Sequence, residues 1–173
     1  MRLTALAIWM AALWLPVTAV GQEPATPDRA AVVKAAQEVA AQARFCSFIT
    51  LDETGQPMAR IIDLFPLDGD LTAWIGTSAA MRKVAQVRHD PRATLLCFDP
   101  QNYAYVTLIG TAEVVTDATS KAAHWKPEWK QFYRDENRGE DYVLIRLRPA
   151  SVEIVSQAHG FPIALHPTTL KLR

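Results

Sequence analysis

Cys46 and Cys97 are the only cysteines among 173 residues. A disulfide-dense scaffold is therefore excluded, and a hydrophobic core must hold the chain together, with at most one bridge to help it. The four histidines, His89, His124, His159 and His166, are scattered, and none has the HxxxH or cysteine-linked spacing of a zinc centre. No Gly-x-Ser-x-Gly elbow occurs, and no Ser-His-Asp arrangement is expected from residues so dispersed. Neither sign of charge dominates, since 18 Lys and Arg face 18 Asp and Glu. That balance offers nothing to a nucleic acid or other polyanion, so no nucleic-acid partner is expected. Repeats and low-complexity tracts are missing too. After residue 20 no apolar run is long enough to span a bilayer.

The chain opens with Met1-Arg2 and then runs from Leu3 to Val20 without a charge. Pro16 breaks that run, and Val17-Thr18-Ala19 and Ala19-Val20-Gly21 offer small residues at the spacing a signal peptidase needs. Residues 1–21 are expected to be a cleaved signal peptide, the alternative being an uncleaved anchor of roughly 18 apolar residues. The mature chain is then periplasmic or secreted, with no stable membrane anchor. A single Arg before the apolar run, rather than a twin-arginine pair, points to export of an unfolded chain. In an oxidising compartment Cys46 and Cys97 pair only if the fold brings their backbones together, and buried free thiols are the default expectation.

Residues 22–43 read as a polar leader followed by a helix over Arg29–Arg44, which Asp28 can cap and in which Val32, Ala36, Val39, Ala40 and Ala43 recur at helical spacing. Strands are expected at Phe45–Leu51 and Met58–Leu67, joined by the turn Asp52-Glu53-Thr54-Gly55, and again at Leu71–Ile75. Gly76-Thr77-Ser78 is read as an interruption before a helix Ala79–His89 that Ser78 caps and Asp90-Pro91 stops. Ala93–Phe98 and Tyr103–Val115 are strands, the second with a bend or bulge at Gly110. Ala118–Tyr133 is expected to be a helix kinked at Pro127, and Arg134–Asp141 a charged loop. Tyr142–Arg148 and Ser151–Ser156 are the last strands, and the tail 157–173 shows no clear period. The fold expected over 44–156 is mainly β (α+β), a six-stranded antiparallel barrel with flanking helices.

Chemistry concentrates in Gly76-Thr77-Ser78-Ala79-Ala80-Met81-Arg82-Lys83. There the start of a helix meets two adjacent cations, an arrangement suited to a phosphate, although Arg-Lys pairs on helices are commonly solvated surface. Arg60 sits among apolar neighbours in Met58-Ala59-Arg60-Ile61-Ile62-Asp63 and needs a ligand or a partner, for which Asp63 is the nearest carboxylate in sequence.

These segments, with Leu71-Thr72-Ala73-Trp74-Ile75-Gly76-Thr77, Arg82-Lys83-Val84-Ala85-Gln86-Val87 before Asp90-Pro91, and Tyr105-Val106-Thr107-Leu108-Ile109-Gly110-Thr111, occur in an order and spacing that resemble a known family. The sequence is similar to the pyridoxamine 5'-phosphate oxidase-like FMN-binding split barrels, of the small general-stress-protein type, over about Arg44–Ser156. The resemblance implies FMN as cofactor, with a deazaflavin coenzyme, haem or no cofactor as the alternatives that relatives suggest. It implies that Arg60 and the backbone of Ile61 and Ile62 line the flavin, while Gly76, Thr77, Arg82 and Lys83 hold the ribityl phosphate. Tyr105 stands where such oxidases turn a Gln toward the ring. A homodimer sharing the site is implied, with Trp125 or Trp129 either covering the ring from the partner chain or buried in the core. Leu147-Arg148-Pro149-Ala150-Ser151-Val152-Glu153 replaces the Arg-x-His substrate pair of true pyridoxamine-phosphate oxidases. The expectation is an exported flavin-dependent oxidoreductase acting on a small organic substrate and not on that vitamin, or else a non-catalytic binding or stress protein on the same barrel.

Overall fold

A computed structural model of the chain describes residues 27–133 and 141–172. The signal-peptide reading of residues 1–21 and most of the expected charged loop lie outside them. Helix α1 covers Arg29–Ala43, with the Asp28 carboxylate accepting from the Ala30 amide at 3.0 Å. Its buried stripe, Val32, Ala35, Ala36, Val39 and Ala40, is small, so the helix seats closely on the sheet. Arg44, with φ of 52°, ends it by turning the chain sharply into a strand.

Seven strands follow: β1 Phe45–Leu51, β2 Pro57–Asp63, β3 Ala73–Ser78, β4 Arg92–Asp99, β5 Ala104–Val115, β6 Tyr142–Val155 and β7 Thr168–Lys171. They form one antiparallel sheet in the order β2-β1-β4-β5-β6-β3, with β7 also paired to β6. The end strands β2 and β3 come back into contact, as a curled sheet requires. Helix α2, Arg82–His89, buries Val84 and Val87. Helix α3, Ala118–Ala123, lies against β6. One core row runs in register through Phe48, Leu95, Leu108 and Val152, each 0 % exposed, and ends on Leu170 of β7. On β2 the same row ends on Arg60. The residue predicted to contact a ligand thus stands where the core meets the rim.

Several boundaries differ from those expected. The six expected strands are joined by a seventh, β7, in the tail. The segments Tyr142–Arg148 and Ser151–Ser156 are one strand, bent where Ile109 pairs with Ser151 and Gly110 with Pro149, so that Ala150 is the extra residue of a bulge. A Cβ on Gly110 would collide with the Arg148 carbonyl, which is why the bend needs glycine. Strand β3 continues through Gly76, Thr77 and Ser78 because Leu144, Val143 and Tyr142 supply ladder partners. Helix α2 therefore starts at Arg82, not Ala79, and no side chain caps it. The expected helix Ala118–Tyr133 breaks at His124, since Lys126 precedes Pro127 and takes an extended conformation before a 3₁₀ turn over Pro127–Gln131.

Cys46 and Cys97 form a disulfide, which overturns the free-thiol default. They face each other across β1 and β4 with Cα atoms 4.4 Å apart, and both are buried. No helix among the described residues is long and apolar enough to cross a membrane.

Candidate functional site

Arg60 belongs to edge strand β2 but points to the inner face, toward α2. Its Nη1 donates to the Phe48 carbonyl at 3.1 Å and to Thr50 Oγ1 at 2.6 Å, and its Nη2 donates to Gln86 Oε1 at 2.6 Å. The anticipated pairing with Asp63 does not form, because that carboxylate is held by Lys126 at 2.8 Å and Arg44 at 3.5 Å. Lys83 donates its Nζ to Thr77 Oγ1 at 2.9 Å, and Thr77 is buried while Arg82 is exposed beside them. Among the described residues, no carboxylate lies within ion-pair distance of Arg60, Arg82 or Lys83. Burial, then the charge of Arg82, pushes the Arg60 guanidinium below its ordinary pKa. Burial, then the charge of Arg60, does the same to Lys83. Arg60 and Lys83 thus each feel a neighbouring cation. A groove of about 340 Å³ between the β1–β2 turn and α2, lined by Asp52, Met58, Arg82 and Gln86 among others, opens beside them.

The other expected site residues are placed differently. Ile62 is in the core and Ile61, 66 % exposed, is on the outer sheet face. Tyr105 shares that outer face, where its hydroxyl donates to Glu153 at 3.1 Å. Burial, with the neighbouring Glu153, raises its pKa. Ile61 lies on a row running through Ser47, Leu96, Thr107 and Glu153, so Ile61 and Tyr105 share a surface that the cations do not. Gly76 faces the opposite side from Thr77. A Cβ there would collide with the Trp129 ring and the Tyr142 hydroxyl. Trp129 is buried with Phe65, Trp74, Tyr142 and Leu144, and Trp125 packs edge-on against it. In the single chain both tryptophans therefore have core partners.

Two features escaped sequence reasoning. Gln86 and Thr50 hold Arg60, yet neither residue type stands out in a strand or helix, and only their proximity shows the role. A Ser-His-carboxylate chain also exists, contrary to expectation. Ser156 Oγ lies 2.7 Å from His159 Nδ1, and His159 Nε2 lies 2.6 Å from Glu38 Oε2. The hydrogen bond with His159 is the main cause that holds the Glu38 carboxyl below its usual pKa. With Ser156 only 1 % exposed, the chain acts as a tether between α1 and the end of β6 rather than as an open nucleophile. It lines a cavity of about 270 Å³ with Asp99 and Asn102.

The family model described as pyridoxamine 5'-phosphate oxidase matches residues 32–156. No curated protein matches the chain. Among solved structures, a protein of Clostridium acetobutylicum related to general stress protein 26 is 20% identical, with a TM-score of 0.67 over 80% of this chain and 93% of its own. A pyridoxamine 5'-phosphate oxidase-related, FMN-binding protein of Nostoc punctiforme is 13% identical, with a TM-score of 0.60 over 74% and 82%. A haem-binding protein of Mycobacterium smegmatis is 24% identical, with a TM-score of 0.63 over 84% of this chain and 59% of its own. The order of strands, the rim of cations above the barrel core and the match over residues 32–156 together place the chain in the pyridoxamine 5'-phosphate oxidase-like family of FMN-binding split barrels.

Proposed function

We propose that this chain is a periplasmic or secreted, homodimeric FMN-dependent oxidoreductase that acts on a small organic substrate. The observation that carries the cofactor is the rim of three cations: Arg60 and Lys83 donate to neutral acceptors, and Arg82 stands exposed beside them. Two partly desolvated cations with a third beside them and no carboxylate in ion-pair reach among the described residues suit an anion, and a phosphomonoester dianion matches their charge. Thr77, Arg82 and Lys83 hold the phosphate; Arg60, which the resemblance assigns to the flavin lining, adds its charge at the phosphate end, and the backbone of Ile61 and Ile62 reaches the ring. Bound there, the flavin supplies the two-electron chemistry between a reduced donor and an organic acceptor. The chain's own contribution is to bind the phosphate, fix the ring's orientation and keep water from it, so no side chain need serve as nucleophile.

The outer sheet face supports the dimer. Ile61, Phe98 and Ile109 are 66 %, 48 % and 46 % exposed there on three strands of one surface, which a second copy would cover. Tyr105 and Ile61 would then complete the site across the interface. The buried Cys46–Cys97 bridge supports an oxidising compartment, in keeping with the leader. Vitamin B6 oxidation is not proposed: Arg148, in the segment that replaces the substrate pair, is tied to Glu113, and Pro149 lies in the bulge.

The absorption spectrum and light scattering of a chain lacking residues 1–21 test this reading. The expected result is a dimer with flavin bands that bleach with a reductant and return in air. A Soret band would make it a haem protein. A featureless spectrum after incubation with excess FMN, or a monomer at micromolar concentration, would refute the shared flavin site.

A further inference from the structure

A half-buried guanidinium ordinarily has a carboxylate beside it. Arg60 has an amide. Gln86 Oε1 receives Arg60 Nη2 at 2.6 Å and the Thr50 hydroxyl at 2.7 Å, so two donors converge on one atom. That convergence identifies which end of the amide is oxygen and occupies both of its lone pairs. Thr50, itself 0 % exposed, also accepts from Arg60 Nη1, which reaches the Phe48 carbonyl as well. Three of the five guanidinium N–H groups are thereby directed into the protein, and two are left for a ligand oxygen. Gln86 sits four residues after Arg82 and three after Lys83 on α2, so the helix presents both cations and the anchor on one side.

We propose that Gln86 is the positioning residue that sets the specificity of this site. It fixes the Arg60 guanidinium without neutralising it, so all three positive charges remain for a phosphomonoester dianion. The inference rests on the cofactor reading above and adds the reason that reading selects phosphate-bearing ligands. A glutamate here would keep the length and the acceptor oxygen but would place a negative charge 2.6 Å from Arg60. Charge compensation therefore predicts opposite signs for folding and for ligand binding, which a purely structural role for Gln86 does not.

The test compares wild type with Gln86→Glu and Gln86→Ala, titrated with FMN, riboflavin and inorganic phosphate, and melted without ligand. Gln86→Glu should weaken FMN by about 10–100-fold, the cost of roughly one charge-assisted contact. It should leave riboflavin within about twofold, because riboflavin lacks the phosphate, and should leave the ligand-free melting temperature unchanged or higher. Gln86→Ala frees Arg60 without adding charge, so FMN should weaken by a smaller factor, about 3–10-fold. The proposal is overturned if Gln86→Glu binds FMN as wild type does, or if FMN and riboflavin weaken in parallel while the ligand-free melting temperature falls. Wild type that binds phosphate but no flavin would end the cofactor reading and leave the anchor standing. Wild type that binds neither would end both.

Discussion

Two groups of cations in this barrel are built oppositely. On β6, Arg146 and Arg148 both close on Glu113, and beyond β2 Arg44 and Lys126 close on Asp63. Each of these carboxylates is shared by two bases, and the pairs bind one strand or loop to the next. At the rim, Arg60 and Lys83 have hydroxyl, amide and carbonyl partners instead, and Arg82 is exposed beside them. Residue type and exposure overlap between the groups, so what separates a structural cation from a ligand-binding one is the charge of its neighbours. The compensated pairs complete the protein, and the rim is left to be completed by something else.

The sharpest break of that comparison is the double variant Arg82→Ala with Lys83→Ala. Each lost charge-assisted bond is worth roughly 1.5–3 kcal/mol, so FMN should weaken by about 10²–10⁴-fold, while circular dichroism shows an unchanged fold. Arg146→Ala, taken from the compensated group, should leave FMN affinity within about twofold. If the two variants weaken FMN alike, the distinction by neighbouring charge is unfounded.

A second measurement bears on compartment rather than ligand. The Cys46–Cys97 bridge closes a separation of 51 residues, for which chain entropy gives about 4 kcal/mol as an upper figure. Cys46→Ser with Cys97→Ser should therefore lower the melting temperature by roughly 10 °C. A melting temperature indifferent to the pair would remove the bridge as support for export.

The smallest effect concerns a turn. Bonding from Arg92, by its side chain and then its amide, holds the Asp90 carboxyl at about 2. A depressed acid adds stability above its unfolded value near 3.9 and loses it as pH falls toward 2. An NMR titration should find Asp90 still ionised at pH 3, and Arg92→Ala, which removes the side-chain bonds but keeps the amide, should raise its midpoint toward the ordinary range without changing flavin binding.

Much of the fold was legible because its signals are local. The alanine-spaced stripe of α1, the β1–β2 hairpin and the break before Pro91 each need only a few neighbouring residues to read. The bulge at Gly110 was legible for the same reason. Ser78 misled because capping preference is also local, whereas β3 runs on through it to pair with Tyr142, some sixty residues away. Strand β7 was missed because a four-residue segment has too short a pattern, and only its partner on β6 makes it a strand. At the site, Arg60, Thr77, Arg82 and Lys83 carry signals in the sequence, and the structure brings Lys83 to Thr77 and Arg60 to Gln86, whereas Gln86 and Thr50 were invisible. A half-buried amide has no sequence signature until a guanidinium is seen against it.

By itself the sequence determined most of the succession of strands and helices, the supply of cations on β2 and at the start of α2, and the lack of zinc or nucleophile motifs. These follow from composition and from periods of two and 3.6 residues. Tertiary structure alone decided that Asp63 serves Arg44 and Lys126 rather than Arg60, that Gly76 lies under Trp129, and that the two cysteines meet. Each of these depends on the register of strands far apart in the chain, and a shift of one residue would turn every side chain to the other face.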